Sequence, residues 1–313
     1  MRKLTFLYFM KVMKFGGASL ADASKIKQVS KIISDYCAKE RLIVVVSAVQ
    51  GVTDKLISIV NHYRAGNVEE AVNVITGLYN LHLNILNNLD LPSKKQNEGH
   101  SQINNLFGNL FSLLFLPDNN KIGWYDKFLS FGEVLSSRLV TLDLVKNKIK
   151  ARHVDSSELI ITDNNFGAAS PLMDRTIESV EKVLYPLIVE DIVPVVTGFF
   201  GGTAKGEISL LGRGGSDYSA TILAFALEAQ EVILWKEVNG IYDSDPKISA
   251  KAKFFPEISY DNAAKLATNG AKILHPRALK PVAAKEITVW IKNTFNPAFA
   301  GSKIWKGKNG HEE

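Results

Sequence analysis

The chain has 313 residues, of which 46% are hydrophobic and 22% are charged. This is the composition of a folded protein with one large domain or two smaller ones, and it excludes disordered, collagen-like and coiled-coil proteins. The single cysteine, Cys37, excludes an intrachain disulfide and a multi-cysteine zinc site. We interpret it as a small buried side chain in a helix.

The patterns of charge and hydropathy argue against two classes of partner. The 37 basic and 32 acidic residues give a net charge of +5 and form no long run of one sign, so we expect no nucleic-acid partner. No apolar stretch is long enough to cross a membrane, and residues 1–13 lack a signal-peptide cleavage site. We therefore expect no membrane partner and a cytoplasmic location. The small positive excess suits an anionic substrate.

Predicted strands and helices alternate along the chain. The predicted strands are residues 12–15, 43–46, 192–200, 207–211, 231–235 and, as the last one, 287–291. The predicted helices are one that starts at Asp22 or Ser24, a largely helical region at residues 55–116, and residues 218–227 and 261–267. This alternation predicts an α/β fold whose mostly parallel sheet is covered by helices on both faces.

Residues 55–116 are predicted to form a helical insertion that packs on the main domain. Two apolar stripes at helical spacing flank a polar break at residues 92–99. His82 lies on one of these stripes, so we interpret it as a core or boundary histidine and not as a ligand.

Three glycine-containing segments are expected at the carboxyl ends of strands, where ligands of an open α/β sheet bind. In the first, residues 14–19 (KFGGAS), successive N–H groups would form an anion nest beside the Lys14 ammonium group. The alternative is a strand-to-helix turn that needs glycine, with Lys14 in solvent.

The second segment, residues 211–217 (LGRGGSD), precedes a predicted helix that Ser216 or Asp217 would cap. The N-terminus of that helix would attract an anion, and Arg213 offers a bidentate fork for a carboxylate or a phosphate. The alternative is a glycine-rich turn with a capping residue.

The third segment, residues 269–272 (NGAK), would bring Lys272 to nucleotide phosphates, or it is a helix stop with a solvated lysine. The nearby His275 is interpreted as structural. Two lysines, an arginine and glycine nests at one sheet edge suit phosphoryl transfer, which depends on positioning and charge neutralisation. Mg²⁺ would be held largely by the phosphates.

Together these segments resemble the aspartokinases of the amino-acid kinase superfamily. The matching motifs are K-F-G-G-A-S at residues 14–19 (the family has Thr at position 18), V-S-A with G-V-T-D at 46–54, S-F-G-E at 130–133, I-T-D with F-G at 161–167, L-G-R-G-G-S-D-Y at 211–218, G-A-K-I-L-H-P-R at 270–277 and N-T-F-N-P at 293–297. The resemblance covers residues 12–303, which is nearly the whole chain.

The resemblance implies a three-layer αβα sandwich around a mostly parallel sheet. It implies a catalytic domain at residues 1–303, with an aspartate-binding part at 12–190, an ATP-binding part at 191–303 and a polar tail at 304–313. The implied reaction transfers the γ-phosphoryl group of ATP, with Mg²⁺, to the β-carboxylate of L-aspartate. The product is 4-phospho-L-aspartate, the first step toward lysine, threonine and methionine.

The resemblance also implies sets of functional residues. The implied catalytic residues are Lys14, Asp217 and Lys272. The implied substrate-binding residues are Ser47, Thr53, Glu133, Arg213, Gly214, Gly215 and Ser216. The implied ATP-binding residues are Lys14, Gly16, Gly17, Lys236, Glu237, Tyr242, Lys247, Lys272 and Ile273. No residue is implied as a metal ligand, because the ATP phosphates provide most of the ligands of the Mg²⁺ ion.

Individual roles follow from the same resemblance. Lys14 stabilises charge on the transferred phosphoryl group, and Arg213 pairs with the substrate α-carboxylate. Glu133 and Asp217 receive the α-ammonium group, and the alternative for Asp217 is that it orients the lysines. No general base is required, because the attacking carboxylate is already ionised at neutral pH.

The chain departs from the family pattern at several places. Lys236-Glu237 replaces Thr-Asp, and Lys247 replaces an arginine, which removes a bidentate fork. Aspartokinases usually continue into two ACT regulatory domains, whereas these motifs end near residue 303. Either the sequence is part of a longer protein or the protein lacks this feedback, and we expect no inhibition by lysine or threonine through an ACT site. The alternative functions are a catalytically weak aspartate-binding regulatory subunit and another amino-acid kinase of the same fold. A homodimer is left open.

Overall fold

The computed structural model describes residues 10–116, 123–244, 249, 251–268 and 274–307. Its strands are β1 (Met10–Phe15), β2 (Arg41–Val46), β3 (Ala151–Val154), β4 (Ile161–Thr162), β5 (Val193–Thr197), β6 (Phe200–Thr203), β7 (Ile208–Leu210), β8 (Glu231–Lys236), β9 (Ile241–Tyr242), β10 (Phe254–Phe255), β11 (Glu257–Ser259), β12 (Thr288–Asn293) and β13 (Ser302–Trp305). Its helices are α1 (Ala23–Cys37), α2 (Val52–Arg64), α3 (Val68–Asn87), α4 (Ser93–Leu114), α5 (Trp124–Lys146), α6 (Met173–Val189), α7 (Gly215–Leu227), α8 (Tyr260–Thr268) and α9 (Pro276–Ala284).

The main sheet has eight strands in the order β11-β13-β12-β8-β1-β2-β5-β3. The six strands from β12 to β3 are parallel, β13 is antiparallel to β12, and β11 runs parallel to β13. Alternate residues of β1 enter two different cores, with Met13 and Phe15 on one face and Met10 and Val12 on the other. The predicted mostly parallel sheet with helices on both faces is therefore confirmed.

The predicted helical region is formed by α2, α3 and α4, which pack against each other and against α5. His82 is fully buried in this layer, with Nδ1 2.7 Å from the Leu78 carbonyl oxygen. Burial lowers the pKa of His82 to about 4, so the imidazole is neutral at physiological pH. The interpretation of His82 as a core histidine is confirmed.

The central helix α5 carries the S-F-G-E motif and was not predicted as a separate element. It is buried around most of its circumference, between the sheet and the helical insertion, so its sequence lacks a clear amphipathic period. Among the described residues, no helix is long and apolar enough to cross a membrane.

Two sheet predictions were wrong. Residues 192–200 do not form one strand, because β5 ends at Thr197 and β6 begins at Phe200 in a separate three-stranded sheet with β4 and β7. Between them, Phe199 has a φ of 76°, which breaks the extended backbone. Residues 287–291 do not form the last strand, because β13 follows and buries Ile304 completely, so the polar tail begins after residue 305.

The sequence predicted the N-cap of α1 correctly and that of α7 wrongly. Asp22 caps α1 by accepting a hydrogen bond from the Lys25 N–H at 3.0 Å, as one of the two predicted caps. Neither Ser216 nor Asp217 caps α7, because the helix starts earlier, with Gly214 at the N-cap and φ of 72°. Cys37 closes α1 and is only partly buried, although burial raises the pKa of its thiol to about 11.

Candidate active site

Loops from both halves of the chain meet at the carboxyl edge of the sheet. They enclose a cavity of about 380 Å³ beyond the ends of β1, β2 and β5, at the start of α7. The predicted site residues that line it are Lys14, Gly17, Ser47, Thr53, Glu133, Gly214, Gly215, Ser216 and Asp217. A larger cavity of about 880 Å³ lies at the opposite edge, at the amino ends of β2 and β5, and contains none of the predicted residues.

The loop after β1 lies directly against the loop after β2. A Cβ atom on Gly17 would stand 2.7 Å from the Ala48 carbonyl oxygen, and the Ser47 N–H donates to the Phe15 carbonyl oxygen at 3.1 Å. Only glycine fits at position 17, because the neighbour that it would meet is backbone. The tight turn that the sequence allowed as an alternative is therefore present, and it brings Lys14 into the cavity and not into solvent.

Asp217 joins two lysines at the floor of the site. Its Oδ1 lies 2.6 Å from Lys14 Nζ and its Oδ2 lies 2.9 Å from Lys236 Nζ. Burial alone would raise the pKa of Asp217, but the two ammonium groups outweigh that effect and hold the pKa well below its usual range. For Lys14, burial dominates and lowers its pKa, against the raising effect of Asp217. The result is a buried carboxylate that stays ionised between two ammonium groups.

Glu133 projects from α5 into the same cavity and is 3% exposed. Its Oε1 accepts a hydrogen bond from the Ala48 N–H at 3.0 Å, and its Oε2 has no hydrogen-bond partner among the described residues. Burial raises the pKa of Glu133 to about 8, although the Ala48 N–H and the charge of Lys14 act in the opposite direction. The group is therefore mostly protonated at neutral pH, with one oxygen available to a ligand.

The glycine-rich loop before α7 is held in place by His275 and Arg277 of the G-A-K-I-L-H-P-R motif. A Cβ atom on Gly214 would stand 2.8 Å from Cβ of His275, which caps α9 by accepting from the Arg277 N–H at 3.3 Å. Arg277 also donates to the carbonyl oxygens of Leu211 at 3.3 Å and Ala169 at 3.0 Å. The structural interpretation of His275 is confirmed, and Arg277 is a brace that sequence reasoning missed.

Asp126, at the start of α5, is a second missed support. It accepts hydrogen bonds from the N–H groups of Gly167 and Leu210, both at 2.7 Å. These two bonds attach residues 161–167 and β7 to α5, the helix that carries Glu133. Farther along α5, the Ser136 hydroxyl donates to the Ser47 carbonyl oxygen at 2.6 Å. The available signal for Asp126 was an acid in the first turn of a helix.

Other predicted residues lie outside the cavity. Arg213 and Glu237 are exposed on their loops, and no polar partner of either is found among the described residues. Tyr242 lies in β9, where its ring packs on Phe254 at 5.3 Å between centroids. Gly16 lies beside the end of β8, with its N–H donating to the Trp235 carbonyl oxygen at 3.3 Å. Lys247, Lys272 and Ile273 lie outside the described residues.

The arrangement is suited to binding a polyanion next to an ammonium group. Two lysines and the uncapped N-terminus of α7 supply positive charge at one side, and Glu133 supplies a carboxyl group at the other. In the part of the chain that the structure describes, no three His, Cys, Asp or Glu side chains are grouped as metal ligands.

Comparison with known proteins agrees with this arrangement. Residues 10–293 match the model of the amino acid kinase family. The chain is 33% identical over 303 residues to aspartokinase 1, chloroplastic, of Arabidopsis thaliana, which covers 95% of this chain and 52% of the relative. It is 33% identical over 296 residues to the lysine-sensitive aspartokinase 3 of Escherichia coli, which covers 94% of this chain and 63% of the relative. The chain thus spans between half and two thirds of these curated relatives.

Solved structures give the same result. The crystal structure of E. coli aspartokinase III in complex with aspartate and ADP superposes with a TM-score of 0.87 at 31% identity, over 96% of this chain and 65% of that one. UMP kinase from Ureaplasma parvum, at 15% identity and a TM-score of 0.54, shares the fold over 96% of this chain and 99% of that one. The chain belongs to the amino acid kinase family.

Proposed function

We propose that this protein is an aspartate kinase that transfers the γ-phosphoryl group of ATP to the β-carboxylate of L-aspartate. The observation that carries the proposal is the cavity that Lys14, Asp217 and Glu133 line together, with Lys236 paired to Asp217 beside it. The aspartokinase structure that superposes on this chain was solved with aspartate and ADP, and its likeness extends over 96% of this chain.

The contacts support a division of work between the two buried acids. Each oxygen of Asp217 forms an ion pair with a lysine, whereas Oε2 of Glu133 has neither an ion pair nor a hydrogen bond among the described residues. We therefore assign the α-ammonium group of aspartate to Glu133, and we assign the orientation of the lysines to Asp217. Arg213, exposed at the rim, is free to pair with the α-carboxylate.

Lys14 is the group that we expect to meet the transferred phosphoryl group. It is buried, it is oriented by Asp217, and it stands at the end of β1 beside the tight turn at Gly17. The β-carboxylate of aspartate is already ionised, so the protein needs to supply positioning and positive charge and not a base. Mg²⁺ would arrive on the ATP phosphates and neutralise their charge, because no described group of carboxylates is placed to hold it.

The proposed halves of the site both contribute to the cavity. Ser47, Thr53 and Glu133 come from the part before residue 190, which we propose binds most of the aspartate, and Asp217 comes from the part after it, which we propose binds most of the ATP. Transfer between two substrates held by different halves requires that both halves meet at one cavity, as they do here.

The test is ADP release from MgATP with L-aspartate as acceptor, with L-glutamate, N-acetyl-L-glutamate and UMP as controls. Aspartate-dependent release that the Lys14→Met variant lacks would support the proposal. Turnover with another acceptor only would make the protein a different amino-acid kinase. A protein that binds aspartate but turns over none of the acceptors would be a regulatory subunit.

A further inference from the structure

Lys236 lies beside Lys14 at the carboxyl edge of the sheet. Lys14 pairs in register with Leu234 on β8, and Lys236 follows two residues later, so both lysines point to the same face of the sheet. Their ammonium groups contact opposite oxygens of Asp217, at 2.6 Å and 2.9 Å. The Lys236 side chain is 21% exposed and that of Lys14 is 9% exposed, so Lys236 is the outer member of the pair.

The cluster carries more positive charge than its own carboxylate can balance. Asp217 supplies one negative charge for the two ammonium groups that contact it. Of the other acids that line the cavity, Glu133 is mostly protonated at neutral pH, and Asp54 forms no ion pair with either lysine among the described residues. The N-terminus of α7 adds further positive potential, because no side chain caps it. A buried cluster with a net positive charge is a binding site for an anion with several oxygens.

We propose that Lys236 is a second phosphate-binding cation, which grips the terminal phosphates of the nucleotide together with Lys14 while Asp217 holds the two ammonium groups in place. This inference rests on the proposed phosphoryl transfer and identifies the part of the nucleotide that Lys236 contacts. The threonine that the family usually has at this position carries no charge and could not make this contact, whereas the lysine in the W-K-E sequence of this chain can.

Equilibrium binding tests the inference without an acceptor. Wild-type protein and the Lys236→Met, Lys236→Arg and Lys292→Met variants are titrated with AMP and with the non-hydrolysable ATP analogue AMP-PNP, both in Mg²⁺. Lys292 is the matched control, because it removes the same charge from the neighbouring strand β12, where its ammonium group packs over the Trp290 ring. Lys292 is in register with Trp235 and so lies on the opposite face of the sheet from Lys236.

The expected result is a loss of affinity for the triphosphate analogue but not for the monophosphate. Lys236→Met should weaken AMP-PNP by about tenfold or more, the typical effect of one charged hydrogen bond, and change AMP by less than about twofold. Lys236→Arg should retain most of the affinity, and Lys292→Met should bind as wild type does. Equal losses for AMP and AMP-PNP, or unchanged AMP-PNP binding, would overturn the inference.

A second readout tests whether Lys236 acts on Lys14 through its charge or only through packing. Lys236 lowers the pKa of Lys14, and Asp217 and Glu133 are the other charged groups that face Lys14. The alkaline limb of the kcat profile should therefore move to higher pH in Lys236→Met, whereas a packing defect alone would leave it in place.

A second variant covers the case of misfolding, and the nucleotide titration does not depend on the acceptor. If Lys236→Met does not fold, the same titrations with Lys236→Gln, which removes the charge but keeps a donor for Asp217, give the answer. If the acceptor proves not to be aspartate, the nucleotide titrations still stand, so failure of the proposed function and failure of this inference are distinguishable.

Discussion

The buried carboxyl group of Glu133 should make the unliganded protein less stable as the pH rises. Its pKa is about 8 in the folded protein against an ordinary value of 4.5. The unfolded chain therefore loses this proton near pH 4.5, while the folded protein keeps it until about pH 8. Since the unfolded state binds fewer protons across that interval, the free energy of unfolding falls as the pH rises through it and levels off above about pH 8.

The size of the effect follows from the two pKa values. A difference of about 3.5 units corresponds to a limit of about 5 kcal/mol, of which about 3.5 kcal/mol develops between pH 5 and pH 8. Glu133→Gln removes the titration but keeps the shape and the acceptor for the Ala48 N–H. The variant should gain that much stability over wild type between pH 5 and pH 8.

Urea unfolding at both pH values measures this gain, with Glu257→Gln, an exposed glutamate outside the cavity, as the control. A gain below about 1 kcal/mol would show that Glu133 is ionised in the free protein and would refute the reasoning. Bound L-aspartate should make wild type more stable than Glu133→Gln at pH 8, because its ammonium group stabilises the ionised carboxylate. Aspartate should therefore stabilise wild type increasingly between pH 6 and pH 8 and have little effect on Glu133→Gln.

Three further substitutions test the site. Lys14→Met should lower kcat by about a hundredfold or more while urea unfolding shows an intact fold, and a variant with normal kcat would remove Lys14 from the reaction. Asp217→Asn should cost about 3 kcal/mol or more in urea unfolding, because two buried ammonium groups lose their carboxylate; an unchanged midpoint would contradict the network. Gly17→Ala should cost about 1–3 kcal/mol in the same assay, since its Cβ would meet the Ala48 carbonyl oxygen at 2.7 Å, and a neutral result would mean that the two loops can separate.

Local sequence was sufficient where a residue's neighbours along the chain determine its structure. The β-branched run of β2 predicted a strand buried on both faces, and the apolar stripe that contains His82 predicted a core helix. It was insufficient between β5 and β6, where the positive φ of Phe199 ends the extended backbone and Gly198 packs so closely that a Cβ atom would stand 2.6 Å from Cβ of Ser216, a contact made by the fold and not by the local sequence. The loop before α7 is constrained in a similar way, because Gly214 packs directly against His275.

The same distinction holds within the site. The motifs placed Lys14, Glu133 and Asp217 at one sheet edge, but they left open whether Asp217 binds substrate or lysines. Only the positions of β1, β8 and α7 relative to each other show that both of its oxygens are taken. The brace from Arg277 and the tie from Asp126 could not be predicted, because their partners are carbonyl and N–H groups of distant segments, which leave no mark on the side-chain pattern.

The opposite states of the two buried acids have a consequence for substrate choice. Asp217 is ionised by the protein's own lysines, whereas Glu133 is mostly protonated at neutral pH until a cation reaches the oxygen that has no partner among the described residues. An acceptor with a free ammonium group supplies that cation, and its binding releases the Glu133 proton. An N-acylated acceptor supplies none and would leave Glu133 protonated, with an amide in place of an ion pair. The carboxyl group on α5 therefore favours a free amino acid over its N-acyl derivative, and this preference should weaken in Glu133→Gln.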